Sequence, residues 1–182
     1  LYGLSGLAER MRVRFRLREA VVIPGNADED ASVKREMGRA FAALLEREVR
    51  EDDVIAVAGG STMAEAAKVL KPSPAFRRAL FVPTRGGLDE NLDLQANKVA
   101  ADMGRNTGSR YRLLHVPGTL REEAWRTLQR DPGIAEVVGL IRGARIVVHG
   151  IGDAIVMAER RKSGQDVIRL LRERRACGEA FG

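Results

Sequence analysis

The chain has 182 residues and a formal net charge of +6, a length that suits one domain with a single core. Its apolar runs are too short to span a membrane and no signal sequence precedes residue 20, so we expect a cytoplasmic protein. The lone cysteine, Cys177, excludes a disulfide framework and a cysteine-rich metal site, and we expect neither metal nor cofactor.

The positive charge does not by itself indicate nucleic-acid binding. Basic residues in the runs 10–18 and 169–175 are interleaved with glutamates and apolar residues, as on solvated helix faces. They are not interleaved with exposed aromatic residues, as a single-strand binder would require. We therefore expect no direct contact between this chain and DNA.

The first half of the chain begins with a predicted helix over residues 1–17 and a short strand over 20–24 that a proline ends. A second amphipathic helix is predicted from Asp30 to Arg50. Its core stripe is Met37, Phe41, Leu44, Leu45 and Val49.

A glycine turn between a strand and a helix is the most informative feature that follows. Residues 54–58 read as a buried strand, Gly59 and Gly60 allow a sharp turn, and Ser61 and Thr62 are candidate caps of the next helix. That helix carries Met63, Ala66, Ala67 and Leu70 on one face. Free N–H groups at such a helix N-terminus bind anions. The pattern predicts a phosphate cradle, or else an ordinary strand-to-helix connection.

Two further strand ends carry glycine and polar residues. Residues 79–83 form a predicted strand that leads into Thr84-Arg85-Gly86-Gly87, and residues 145–149 form one that leads into 150–153. Ligands of open parallel sheets bind beyond the carboxyl ends of the strands, so these loops can converge. Arg85 would place a forked cation beside the cradle. Asp153 is most simply an N-cap.

The remaining elements are a helix over 93–103 that presents Gln95, a strand over 111–116, and a helix over 120–130 that Thr119 opens. Helices over 132–140, 154–161 and 165–175 complete the chain. About five alternations of strand and helix predict an α/β fold with a doubly wound, mostly parallel sheet, in one domain without an internal boundary.

Six motifs in one order resemble the effector domain of SorC-type transcriptional regulators. They are residues 59–63 (GGSTM), 83–87 (PTRGG), 95–97 (QAN), 111–118 (YRLL and VPG), 148–152 (VHGIG) and 179–182 (EAFG). The resemblance covers essentially all of 1–182. It implies a fold similar to glucosamine-6-phosphate deaminase and ribose-5-phosphate isomerase, and a sugar-phosphate sensor rather than an enzyme.

The resemblance also implies partners and site residues. The closest branch of the family represses glycolytic genes, its inducer is fructose-1,6-bisphosphate, its effector domain forms homo-oligomers, and a separate module binds operator DNA. By motif, the ligand-contacting side chains are Ser61, Thr62, Arg85, Gln95, Arg160 and Glu179, with Gly59, Gly60, Gly86 and Gly87 as backbone around them. The family pattern includes a DNA-binding module before this segment and further strands after it, so we expect a piece of a longer regulator.

Two other functions remain open at this point. A sugar-phosphate isomerase or deaminase on the same fold would need a general base, for which Asp153, Glu179 or His149 are candidates without a recognisable partner. An oligomerisation module with a vestigial pocket is the third possibility.

Overall fold

The computed structural model describes residues 2–87, 92–118, 120–160 and 163–180. The predictions that lie outside them are Leu1 as the start of the first helix, Thr119 as a helix opener, Arg161 as a helix end, and residues 181–182 of the last motif. Within the described ranges the helices are α1 (Tyr2–Phe15), α2 (Ala31–Glu48), α3 (Ser61–Val69), α4 (Ala96–Thr107), α5 (Glu122–Leu128), α6 (Pro132–Arg142), α7 (Ala154–Arg160) and α8 (Gln165–Glu173). None of these described helices is both long enough and apolar enough to cross a membrane.

The strands of the described chain form one parallel sheet in the order β3-β2-β1-β4. They are β1 (Val54–Val57), β2 (Leu80–Pro83), β3 (Arg110–Tyr111) and β4 (Ile146–Val148). Val57 lies opposite Pro83 on one side and Val148 on the other, so three carboxyl ends meet at one edge. The α/β fold with a parallel sheet is therefore confirmed.

Helices cover both faces of this sheet. On one face, Ile55, Val57 and Phe81 pack with buried residues of α3 and α4, including Met63, Ala67, Val99 and Met103. The alternating residues Ala56 and Val82 point to the other face, where α6 contacts β1 and β2. A smaller cluster there joins Leu114, Val116 and Val137. The two central strands, β1 and β2, are buried on both sides, as parallel strands usually are, whereas β3 and Val147 of β4 are exposed.

Some predicted elements are wrong or shorter than expected. Residues 20–24 do not form a strand, because they have no partner strand in the described chain and Pro24 lacks an N–H. Val21, which a buried strand would cover, is exposed. The strand predicted over 111–116 is limited to Arg110–Tyr111, after which the chain leaves β2. Met37 lies on the exposed side of α2 rather than in its core stripe, where Val33, Gly38 and Leu45 are buried.

A partly buried ion pair fixes the opposite, amino edge of the sheet. Arg145 donates to both carboxylate oxygens of Asp53, with Nε 2.8 Å from Oδ1. Asp53 Oδ2 also accepts the N–H of Arg50 at 2.7 Å. Hydrogen bonding to the Arg145 guanidinium is the main reason that the pKa of Asp53 lies below its usual range, and the same bond raises the pKa of Arg145. The pair joins the starts of β1 and β4.

Candidate anion-binding site

The N-terminus of α3 has no side-chain cap among the described residues. Its N-cap is Gly60, with φ 120° and ψ 160°. This conformation suits glycine alone, because a side chain at positive φ is strained. The prediction that Ser61 or Thr62 caps the helix is wrong, since both lie inside its first turn. Within the described residues, the first N–H groups of α3 have no side-chain acceptor, and they follow directly on the carboxyl end of β1.

The glycine turn is pressed against the start of α4. The N–H of Gly60 donates to Leu94 O at 2.8 Å. A Cβ on Gly59 would lie 2.3 Å from the same oxygen and 3.0 Å from the nitrogen of Ala96. The predicted helix over 93–103 in fact begins at Ala96 after a 3-10 turn, and Gln95 is its N-cap residue. The structure thus brings Gln95 beside the cradle.

Close contact at Gly59 leads to a testable expectation. Replacing Gly59 by alanine should lower the free energy of unfolding by about 1–3 kcal/mol, because the new Cβ meets backbone that cannot easily move. Gly139→Ala in α6 is the matched control, since nothing lies within 4 Å of its Cβ position and alanine favours helix. Urea unfolding curves should show opposite signs for the two variants; equal effects would contradict the close contact at the turn.

The loop after β2 completes this part of the edge. A Cβ on Gly86 would lie 2.3 Å from Val116 O, so this loop packs tightly against the chain beyond β3. A Cβ on Gly87 would lie 3.6 Å from Cδ of Gln95. Arg85 is half-buried and its guanidinium lies over Gly118. A Cβ on Gly118 would be 2.4 Å from Nη2 of Arg85. Gln95 therefore lies beside both the glycine turn at Gly59 and the β2 loop at Gly87, whereas the Arg85 guanidinium lies over Gly118.

A cavity of about 450 Å³ opens beside Arg85 on the α6 face. Its walls combine polar groups of the β2 loop with the small apolar cluster around Val116 and Trp125. Arg85 makes no ion pair or hydrogen bond among the described residues, so its guanidinium is available to an anion. Thr84 Oγ1 also lines this region, buried and without a hydrogen-bond partner in the described chain.

The unpaired hydroxyl of Thr84 should cost stability in the ligand-free protein. Thr84→Val is expected to raise the free energy of unfolding by about 1 kcal/mol, because an unsatisfied buried hydroxyl is replaced by a methyl group of the same shape. Thr107→Val is the control, since Thr107 Oγ1 donates to Met103 O at 2.7 Å and its loss should destabilise. Chemical denaturation in which both variants lose stability would contradict this expectation.

The loop after β4 holds the remaining predicted residues. Asp153 Oδ1 accepts the N–H groups of Ile155 and Val156 at 2.9 Å, which confirms it as the cap of α7. Glu179 is joined to Gly152 by an antiparallel backbone bridge, which places it next to this loop. Arg160 is exposed at the last residue of α7, about two turns below the edge. None of the described contacts joins Arg160 to Arg85 or to Gln95.

Two residues near the site have contacts that were not predicted from the sequence. The half-buried Lys34 of α2 donates to Ser61 Oγ at 3.3 Å. Asn97 was noted only within a motif, yet its side chain bonds both backbone groups of Leu114, at 3.0 and 2.9 Å. This clamp holds the segment that packs against Gly86. Neither contact could be found from local pattern, because the partners are 27 and 17 residues apart.

A parallel sheet with glycine loops and an open helix N-terminus at its carboxyl edge defines a small-molecule-binding α/β domain. Similarity to known proteins gives the family. Residues 1–182 match a family described as "Putative sugar-binding domain". The crystal structure of "the putative SorC family transcriptional regulator from Enterococcus faecalis" is 36% identical, with a TM-score of 0.89, and the match covers 97% of this chain and 72% of that one. The chain belongs to the sugar-binding domain family of SorC-type transcriptional regulators.

Curated relatives are similar over the whole chain. "Central glycolytic genes regulator" from Priestia megaterium (strain DSM 319 / IMG 1521) is 45% identical over 181 residues, and the protein of the same name from Bacillus subtilis (strain 168) is 37% identical over 180. Each match covers 99% of this chain and 53% of the relative. The chain therefore spans about half the length of the curated relatives it matches. The full-length sorbitol operon regulator SorC from Klebsiella pneumoniae shares the fold, with a TM-score of 0.86 at 17% identity over 98% of this chain and 60% of that one.

Proposed function

We propose that this chain is the effector-binding part of a transcriptional repressor of glycolytic genes, and that a phosphorylated sugar binds at the carboxyl edge of the sheet. One observation carries the site: the N-terminus of α3, which no described side chain caps, lies against the start of α4 at Gln95, and the β2 loop that carries Arg85 reaches the same Gln95 through Gly87. The names of the relatives at 45% and 37% identity support the regulatory role.

A sugar phosphate complements the donors and acceptors at this edge of the sheet. The first-turn N–H groups of α3 and the hydroxyls of Ser61 and Thr62 are donors for phosphate oxygens. Arg85 adds a charge-assisted bond worth about 1.5–3 kcal/mol. Gln95 offers both an amide donor and a carbonyl acceptor, which suits sugar hydroxyls.

Fructose-1,6-bisphosphate is the effector we propose. Its second phosphate would reach toward the loop after β4, where Glu179 lies beside Gly152 and Arg160 follows on α7. Binding that orders the loops around Arg85 and Gly152 would change the contacts between subunits of a homo-oligomer. Only a ligand that binds the two conformations of the oligomer with different affinity shifts the equilibrium between them. A coupling free energy of about 1–3 kcal/mol is typical, and in the cytoplasm it would weaken the binding of operator DNA by the separate DNA-binding module.

The test is a thermal unfolding series on the chain with fructose-1,6-bisphosphate, fructose-6-phosphate, dihydroxyacetone phosphate and inorganic phosphate. At 100 times Kd, a ligand of the folded state adds about 2.7 kcal/mol, or roughly 5–10 °C in Tm for a domain of this size. We expect the largest rise with the bisphosphate. No rise with any of the four would contradict the sensor.

Separate incubations of the chain with glucosamine-6-phosphate and with ribose-5-phosphate, followed by product analysis, distinguish a sensor from an enzyme. The sensor returns glucosamine-6-phosphate and ribose-5-phosphate unchanged, whereas an isomerase or deaminase converts them. Among the candidate bases, Asp153 is already engaged as the cap of α7 through two backbone N–H groups. This engagement favours the sensor.

A further inference from the structure

The first turn of α2 is held beside the first turn of α3 by close packing between these helices. A Cβ on Gly38 would lie 3.1 Å from Cα of Ala66 and 3.1 Å from Cγ2 of Val69, so the absence of a side chain allows this approach. Residues four apart lie on the same helix face. Lys34 is four residues before Gly38, and this register brings its Nζ to 3.3 Å from Ser61 Oγ.

The charge of Lys34 is not neutralised in this position. It is half-buried and makes no ion pair among the described residues. Two other described lysines are paired with carboxylates, Lys68 with Glu65 and Lys98 with Asp102. The helix end that Lys34 faces carries partial positive charge of its own and has no side-chain cap. Two positive groups thus meet at Ser61, and no carboxylate among the residues that the structure describes is paired with either of them.

We propose that Lys34 is a phosphate-binding residue of the effector site. This inference rests on the proposed function and adds a cation that the family motifs did not supply. One phosphate is held on the α2 side of the cradle by Lys34 Nζ, the hydroxyl of Ser61 and the first-turn N–H groups of α3. Arg85 belongs to the β2 loop on the other side. An anion at this point stabilises both the ammonium group and the helix end.

The experiment measures the affinity of the chain for fructose-1,6-bisphosphate and for inorganic phosphate by calorimetric titration. Lys34→Met should weaken binding of both ligands by about 10- to 100-fold, the loss of one charge-assisted bond. Lys34→Arg, which keeps the charge, should retain most of the affinity. Lys71→Met is the matched control, because Lys71 is exposed beyond α3 and its loss removes the same net charge; it should change the affinity less than about twofold.

The outcomes separate this inference from the proposed function. If the wild type binds the bisphosphate and Lys34→Met binds it equally well, the role of Lys34 is refuted while the sensor stands. If the wild type binds neither ligand, the proposed function itself fails. Melting curves without ligand show whether Lys34→Met folds. If it does not fold, Lys34→Arg provides the test: an affinity for the bisphosphate that is at most about a tenth of the wild-type affinity also refutes the inference.

Discussion

Replacing Arg85 by alanine should remove most of the stabilisation that fructose-1,6-bisphosphate gives this chain. Arg85 follows β2 at the carboxyl edge of the sheet and its guanidinium makes no ion pair within the described residues, so its loss should affect the ligand more than the fold. A lost charge-assisted bond of about 1.5–3 kcal/mol weakens binding by roughly 10- to 150-fold. At a ligand concentration of 100 times the wild-type Kd, the rise in stability should fall from about 2.7 to below 1.5 kcal/mol.

The measurement is thermal unfolding with and without the bisphosphate. Arg130→Ala is the control, since Arg130 is exposed after α5 and equally removes one charge. We expect this control to keep the full ligand-induced rise. An unchanged rise in Arg85→Ala would mean that the ligand binds elsewhere on the chain.

Replacing Asp53 by asparagine should produce the largest loss of stability in the absence of ligand. Asp53 is 8% exposed and binds Arg145 through both oxygens, and asparagine would leave that guanidinium without its counter-charge. Breaking a buried pair costs about 3–5 kcal/mol, and the partial exposure of Arg145 reduces the expected loss to about 2–3 kcal/mol at pH 7. Urea unfolding measures it, with exposed Asp28→Asn as the control.

The same pair predicts a pH dependence with a definite sign. The pKa of Asp53 is lower in the folded state than in the unfolded chain, where it is about 3.9. Its contribution to stability is therefore complete above the unfolded pKa and is lost as pH falls through the folded pKa. The difference in unfolding free energy between wild type and Asp53→Asn should narrow from pH 5 downward. A difference that stays constant to pH 2 would contradict the role of the carboxylate charge.

Strands and helices with strong local patterns could be predicted from the sequence. The apolar β-branched run of β1 predicted a buried strand, and the small-residue face of α3 predicted a packed helix. Both patterns are reliable because they reflect burial on one or two faces of the element. Residues 20–24 show the limit of this reasoning. They are apolar enough for a strand, but a strand also needs a partner with free N–H and C=O groups, and local composition does not reveal one.

The candidate site was predictable in outline and not in its details. Glycines after two parallel strands indicated where loops would meet, and the structure brings Gly59 and Gly87 to Gln95. The cap was predicted wrongly because a hydroxyl residue and a glycine with positive φ both begin helices, and the sequence does not give the backbone angle of Gly60. Lys34 was missed because its position depends on helix packing at Gly38.

The most direct test of the proposed site is an NMR titration of the isotope-labelled chain with fructose-1,6-bisphosphate. The site predicts that the backbone amide signals of Ser61, Thr62 and Met63 shift together with those of Gly86 and Gly87, and that the shifts saturate with a single affinity. Signals of the distant edge strand β3 should stay in place. Saturable binding that leaves the first turn of α3 unchanged would contradict the central claim that this helix end holds the sugar phosphate.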